Sequence, residues 1–145
     1  MFSLVFLLYA LPASSENPGH LYIDVKLPAN SHGDVAYLIF SGKDGFPNKK
    51  NKPVRGGLVP VVDAQKQEVK IDAGALPPGR YAVSVYEDVN GNRKLDKNLL
   101  GIPAEPVGAS NNPKERMGPP SFADCAFQFG RSDQTISITL VHSVP

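Results

Sequence analysis

A nine-residue segment near the middle of the chain places oxygen-bearing side chains at alternate positions. It reads DVNGNRKLD and begins at Asp88. Oxygens at the first, third and fifth positions of such a loop converge on one hard cation, and the seventh position adds its backbone carbonyl. Calcium takes six to eight oxygen ligands. The spacing therefore predicts a calcium site with these contributors: Asp88, Asn90, Asn92, Lys94 and Asp96.

The segment is not a complete EF-hand loop. Arg93 stands at the sixth position, where an EF-hand has glycine. Leu99 stands at the twelfth position, where an EF-hand has a bidentate glutamate. A calcium ion here would need acidic ligands from outside the nine residues, and the acidic candidates are Glu105 and Asp124.

The same residues also allow a metal-free interpretation. Asn90-Gly91 is a strong signal for a hairpin turn. Asp and Asn side chains also bond their own backbone in turns. Residues 92–97 do not alternate as a returning strand does, which favours an ordered loop. Metal binding and a loop held by its own hydrogen bonds both remain open at this point.

Catalysis has weaker support in the sequence. A carboxylate-dependent hydrolase would use Glu105 or Asp124 as its general acid or base. Cys125 lies in an apolar alternation, which is typical of a buried structural thiol. The three histidines have no partner at zinc-ligand spacing. A binding or accessory module is therefore preferred to an enzyme, and a purely structural envelope protein is the third alternative.

Strand-like segments must position this stretch. Apolar and polar residues alternate from His20 to Leu27 and from Tyr81 to Tyr86, whereas residues 35–40 are apolar on both faces and predict a central strand. Shorter strands are predicted within residues 58–62, 69–72, 125–129 and 136–140. The pattern predicts an all-β fold, a transthyretin/prealbumin-like or immunoglobulin-like β-sandwich of about seven strands. Residues 88–124 are predicted to form one long ordered loop.

The composition and net charge limit the kinds of partner that this protein is expected to bind. The chain has 145 residues, 41% hydrophobic and 20% charged, which is typical of one folded domain. A net charge of +1 argues against a nucleic-acid partner. The basic segment 41–57 is interpreted either as a solvated loop, which is preferred, or as a patch for an anionic glycan, a lipid head group or nucleic acid. For the protein as a whole, the partner classes retained are an envelope component and a glycan.

The N-terminus resembles a secretory signal peptide. Residues 1–11 form an apolar run, and small residues follow up to Ser15. This pattern predicts a signal peptide over residues 1–15 and one β-sandwich domain over residues 16–145, located outside the cytoplasm in the periplasm or beyond. The alternative is a buried N-terminal strand or helix. The run is too short to span a bilayer, which takes about 20 residues.

Three motifs together resemble a known family. Residues 88–96 are followed by GIPAEPVGAS at 101–110 and PSFADCAF at 120–127. These segments resemble the bacterial secreted family DUF2141, a domain of unknown function. Arg93 and Cys125 depart from the family pattern, which usually has Gly and Ala there. The resemblance implies an extracytoplasmic β-sandwich and no particular reaction.

Overall fold

The computed structural model describes residues 17–63, 65–114 and 118–143, so the predicted signal peptide lies outside the described residues. This part of the chain is almost entirely β-structure. Its elements in chain order are β1 (His20–Lys26), β2 (Asp34–Phe40), β3 (Arg55–Pro60), β4 (Glu68–Ala75), β5 (Gly79–Asp88), β6 (Val107–Ala109), α1 (Phe122–Cys125), β7 (Phe127–Phe129) and β8 (Gln134–Thr139).

The strands form two sheets. One has the order β4-β1-β8, with β1 antiparallel to β4 and parallel to β8. The other has the order β3-β2-β5-β6, and β7 pairs with the beginning of β5. The predicted all-β sandwich is confirmed, with eight strands in the described residues.

The core lies between the two sheets and follows the alternation read from the sequence. Leu21, Ile23 and Val25 of β1 have no exposed surface, and Val83 and Val85 of β5 face them from the other sheet. Burying each such side chain stabilises the fold by roughly 1.5–3 kcal/mol. The core therefore holds β5 rigidly, and the last residue of β5 is Asp88.

The stretch from 88 to 124 is not one loop. β6 pairs with β5 inside it, and α1 begins near its end. The strand predicted from Cys125 onward was wrong at its start, because Cys125 ends α1 and β7 begins at Phe127. The reason is local: Ser121 caps the helix by accepting a hydrogen bond from the Asp124 N–H. The loop proper covers residues 89–106.

The segment Ser110 to Asn112 fixes the end of β6. The Ser110 hydroxyl oxygen accepts from the Val83 N–H at 2.9 Å, and the Asn111 amide donates to two carbonyls at α1. The Asn112 side chain pairs with β8. These side chains bond neighbouring elements, so they anchor the loop to the sandwich.

Candidate metal centre

The two ends of the 89–106 loop meet at the end of β5. The Glu87 N–H donates to the Pro106 carbonyl at 3.0 Å. The backbone of Asp88 is approached closely from the other side by Gly33, where an added Cβ would lie 2.4 Å from the Asp88 carbonyl oxygen. Asp88 is therefore held between the loop and the connection that joins β1 to β2.

Glu87 anchors that connection and was not identified from the sequence. Its side chain is 2% exposed. One carboxylate oxygen accepts from the N–H groups of His32 and Gly33 at 2.9 and 3.0 Å, and the other accepts from the Ser31 hydroxyl at 2.9 Å. The available signal was an acidic residue that directly follows the mainly apolar strand residues 81–86. Glu87 is a buried carboxylate with all of its partners supplied by one turn.

Asp88 differs from Glu87 in how its two oxygens are used. Asp88 is 1% exposed. Its Oδ2 accepts from the Arg93 N–H at 2.7 Å. Its Oδ1 is buried and has no hydrogen-bond partner among the described residues. A buried carboxylate oxygen without a partner is costly, so Asp88 presents an acceptor that a further group would satisfy.

Arg93 adopts the backbone conformation that glycine provides in a complete EF-hand. Its φ is 60°, in the left-handed region, and Gly91 lies there too with φ 71°. The left-handed conformation points the Arg93 N–H at Asp88. Arginine at the sixth position therefore does not prevent this part of the loop from adopting its turn.

The alternate positions after Asp88 form a chain of side-chain turns. The Oδ1 atoms of Asn90 and Asn92 accept from backbone N–H groups two residues ahead, at 3.2 and 2.9 Å. Lys94 supplies the second of these N–H groups. The amide groups of both asparagines donate to the Asp96 carboxylate at 2.7–3.0 Å. The predicted ligands are thus gathered at one place, with Asp96 in the middle.

Glu105 closes the loop and lies with these residues. It is 5% exposed. Its Oε2 accepts from the Val89 N–H at 2.6 Å and its Oε1 from the Asp96 N–H at 2.9 Å. The Asp96 carbonyl in turn accepts from the Ala104 N–H at 2.8 Å. Glu105 therefore joins the beginning of the loop to Asp96 through two backbone N–H groups.

Three carboxylates, those of Asp88, Asp96 and Glu105, lie at this end of the sandwich. Burial raises the pKa of Glu105, and the charges of Asp96 and Asp88 raise it further, against hydrogen bonds from backbone N–H groups. Hydrogen bonds from Asn92 and then Asn90 lower the pKa of Asp96. Burial raises the pKa of Tyr86, and the charges of Asp88, Glu105 and Asp96 add to the effect. The pKa of Tyr86 is therefore affected by the charges of all three carboxylates.

Asp124 lies elsewhere. It belongs to α1, and the following residue, Cys125, packs against Ala82 near the beginning of β5. Ala82 and Asp88 are six residues apart on one strand, which is roughly 20 Å at about 3.3 Å per residue. The structure therefore separates Asp124 from the other six predicted ligands, and it does not pair Asp124 with Glu105 as an acid and a base.

Cys125 is the structural thiol that the sequence indicated. It has no exposed surface, and it packs with Ala82, Ala109, Phe46 and Phe122. Burial, with a smaller contribution from the Asp124 charge, raises its pKa to about 11. The thiolate is the nucleophilic form of cysteine, so this group is inert at neutral pH.

The donor set determines which ion the loop would suit. Across residues 17–63, 65–114 and 118–143, no group of three or more His, Cys, Asp and Glu side chains is arranged to hold a metal ion. An ion in this loop would therefore combine the Asp88 and Asp96 carboxylates with amide and backbone carbonyl oxygens. Calcium accepts such a mixed oxygen set, whereas zinc prefers nitrogen and sulfur.

The class of protein follows from these features: a β-sandwich with a carboxylate-lined loop closing one end. The chain belongs to the family described as "Uncharacterized protein conserved in bacteria (DUF2141)", whose sequence model matches residues 23–137. The matched range includes at least part of every strand and the complete loop. A search of curated proteins gave no significant match, and neither did a search of solved structures. In the described part of the chain, no helix is long and apolar enough to cross a membrane.

Proposed function

We propose that this protein is an extracytoplasmic binding or accessory module whose 89–106 loop, together with Asp88, holds a calcium ion. The observation that carries the proposal is the buried Oδ1 of Asp88, which has no hydrogen-bond partner in the described residues. It lies near two further carboxylates, those of Asp96 and Glu105. Three negative charges at one end of a sandwich repel one another, and a divalent cation removes that repulsion.

The ligands would come from the alternate positions of the loop. Asp88 offers Oδ1, and Asp96 offers a carboxylate on the loop surface. The Oδ1 atoms of Asn90 and Asn92 each accept one backbone hydrogen bond and keep a second lone pair. The carbonyl of Lys94 and the Glu105 carboxylate are the remaining candidates. This partial, flexible set is suited to the millimolar affinities of extracytoplasmic calcium modules.

A purely structural loop is the second candidate, and a specific observation favours it. The side chains of Asn90, Asn92 and Asp96 already bond one another and their own backbone. Such a network orders a loop without an ion. It leaves the buried Oδ1 of Asp88 unexplained, and this atom therefore distinguishes the two candidates.

The test uses terbium, a luminescent ion that replaces calcium at oxygen sites. The chain has five tyrosines and no tryptophan, and the charges of all three carboxylates act on Tyr86. We expect tyrosine-sensitised terbium emission that excess calcium removes, and that Tyr86→Phe reduces strongly because energy transfer falls steeply with distance. Tyr37→Phe, in the core between the sheets, is the matched control and should keep the emission.

Two results would overturn the calcium proposal. One is wild-type protein that shows no calcium-sensitive emission at millimolar concentrations. The other is emission that depends equally on Tyr37 and Tyr86, since this would place the ion away from the loop.

Calcium binding should weaken as the pH falls. The pKa of Glu105 is raised above its ordinary value of 4.5, so the folded protein keeps this proton at pH values where a free glutamate has lost it. Calcium must displace that proton, and its affinity therefore rises with pH above 4.5. Without calcium the sign is opposite: the contribution of Glu105 to stability falls as pH rises through the same range.

Calorimetry in two buffers of different ionisation enthalpy measures this linkage. At pH 4.5, the ordinary pKa of a glutamate, we expect calcium binding to release protons, and at pH 8 we expect little or no release. Equal proton release at both values would contradict the assignment of Glu105 as the competing group.

A further inference from the structure

The turn at residues 97–103 carries two leucines that nothing covers. Leu99 is 106% exposed relative to a reference leucine, and Leu100 is 79% exposed. Adjacent leucines with this exposure are unusual, because an apolar side chain in water loses the free energy that burial would provide. The pair projects from the same loop that holds the three carboxylates.

Hydrogen bonds hold the backbone of this turn in the conformation that exposes the two leucines. The Asn98 Oδ1 accepts from the N–H groups of Leu100 and Ile102 at 2.9 and 3.0 Å. The Asn98 N–H donates to the Ile102 carbonyl at 2.8 Å, and the Gly101 N–H donates to the Asn98 carbonyl at 3.0 Å. Lys97 and Pro103 pair below this turn. The backbone is thus locked by four hydrogen bonds, and the exposure of the leucines does not result from a loose segment.

The fully exposed charges near the tip are basic. The three basic residues of the loop, Arg93, Lys94 and Lys97, are all exposed. Of the three acidic residues between positions 88 and 105, Asp88 and Glu105 are 1% and 5% exposed, and Asp96 is half-buried. An apolar tip on a loop whose fully exposed charges are basic matches a surface that is apolar inside and anionic outside.

We propose that this tip docks on an anionic lipid surface, with Leu99 and Leu100 entering the acyl region and the basic residues meeting the head groups. A protein partner fits the shape less well. A specific protein interface buries about 1,200–2,000 Å² with close complementarity, whereas a two-residue protrusion offers little area. A bilayer accepts a protruding apolar tip without a matching pocket.

The proposed calcium ion would strengthen this docking, and that part of the inference rests on the proposed function. The three acids and three bases of residues 88–105 cancel, so the loop has no net charge without an ion. A bound calcium ion makes it +2. Each positive charge near an anionic membrane surface strengthens binding by roughly fivefold at physiological ionic strength.

Vesicle sedimentation tests the proposal with purified protein and phosphatidylglycerol/phosphatidylcholine vesicles, in EDTA and in calcium. We expect wild-type protein to bind these vesicles more strongly than pure phosphatidylcholine vesicles. The double variant Leu99→Ser, Leu100→Ser should bind at least ~100-fold more weakly, because two leucines are no longer buried. Val62→Ser is the matched control: Val62 is 93% exposed in another loop, and its replacement should leave binding unchanged.

The outcomes separate this inference from the calcium proposal. Docking is overturned if wild-type protein does not bind anionic vesicles in either condition, or if the double variant binds as well as the wild type. In that case the leucines would serve a protein partner. Leucine-dependent binding in EDTA, with no calcium-sensitive terbium emission, would retain docking and reject the ion. Calcium-sensitive terbium emission without vesicle binding would retain the calcium site and reject docking on lipid.

Discussion

Replacing Glu87 with alanine should destabilise the protein by roughly 3–5 kcal/mol, a large fraction of the total stability of a domain this size. Glu87 is 2% exposed, and its two oxygens accept three hydrogen bonds from the turn at Ser31 to Gly33. The variant leaves the His32 and Gly33 N–H groups without their acceptor, and it opens a cavity below the turn. A buried donor that loses its partner costs more than the bond itself contributed.

Urea unfolding measures this loss. Glu68→Ala is the matched control, since Glu68 is an exposed glutamate at the beginning of β4 and its removal should change stability by about 0.5 kcal/mol or less. Glu87→Gln should lie between the two, because the amide keeps one acceptor oxygen. A loss under about 1 kcal/mol for Glu87→Ala would show that the turn does not depend on this carboxylate.

Replacing Asp88 with asparagine, unlike replacing Glu87, should not destabilise the calcium-free protein. In EDTA we expect Asp88→Asn to unfold at the wild-type temperature or above. Its amide oxygen still accepts from the Arg93 N–H, and one of three neighbouring negative charges is removed. In calcium the wild-type protein should gain about 2.7 kcal/mol at 100 times Kd, whereas the variant should gain little. If the loop holds calcium as proposed, the site costs stability when empty and contributes stability when filled.

Glu87 and Asp88 differ in how completely their carboxylate oxygens are hydrogen-bonded within the protein. They are neighbours at the end of β5, and both are almost completely buried. Glu87 has a hydrogen-bond partner for each oxygen, so its role is complete within the protein. Asp88 has one oxygen satisfied and one oxygen without a partner in the described residues. Glu87 holds the neighbouring turn, whereas Asp88 leaves one buried acceptor oxygen unsatisfied.

The sandwich was predictable because β1 and β4 alternate and β2 is apolar on both faces. In β1 every second residue from Leu21 to Val25 is buried, and in β5 the face with Tyr81, Val83 and Val85 enters the core as expected. β6 was missed because Val107–Ala109 is only three residues long and contains a glycine. The alternation also gave a wrong strand start at Cys125. A four-residue helix followed by a short strand produces the same two-residue spacing of apolar side chains as one continuous strand.

The candidate site was predictable in part for a similar reason. Alternate spacing correctly gathered Asn90, Asn92 and Asp96, since side-chain turns act over two residues. Glu105 also joined them, nine residues after Asp96. The location of Asp124 could not be predicted from the sequence, because sequence distance does not reveal which end of a strand a helix packs against. The burial of Asp88 likewise follows from packing that only the folded protein shows.

Thermal unfolding in EDTA and in millimolar calcium tests the central claim most directly. The measurement compares wild-type protein with Asp88→Asn and with Asp44→Asn, an exposed aspartate in another loop that serves as the control. We predict a calcium-dependent rise of roughly 2–5 °C for the wild type and the control, and no rise for Asp88→Asn. A wild-type midpoint that calcium leaves unchanged, or an equal rise in Asp88→Asn, would contradict a calcium site in this loop.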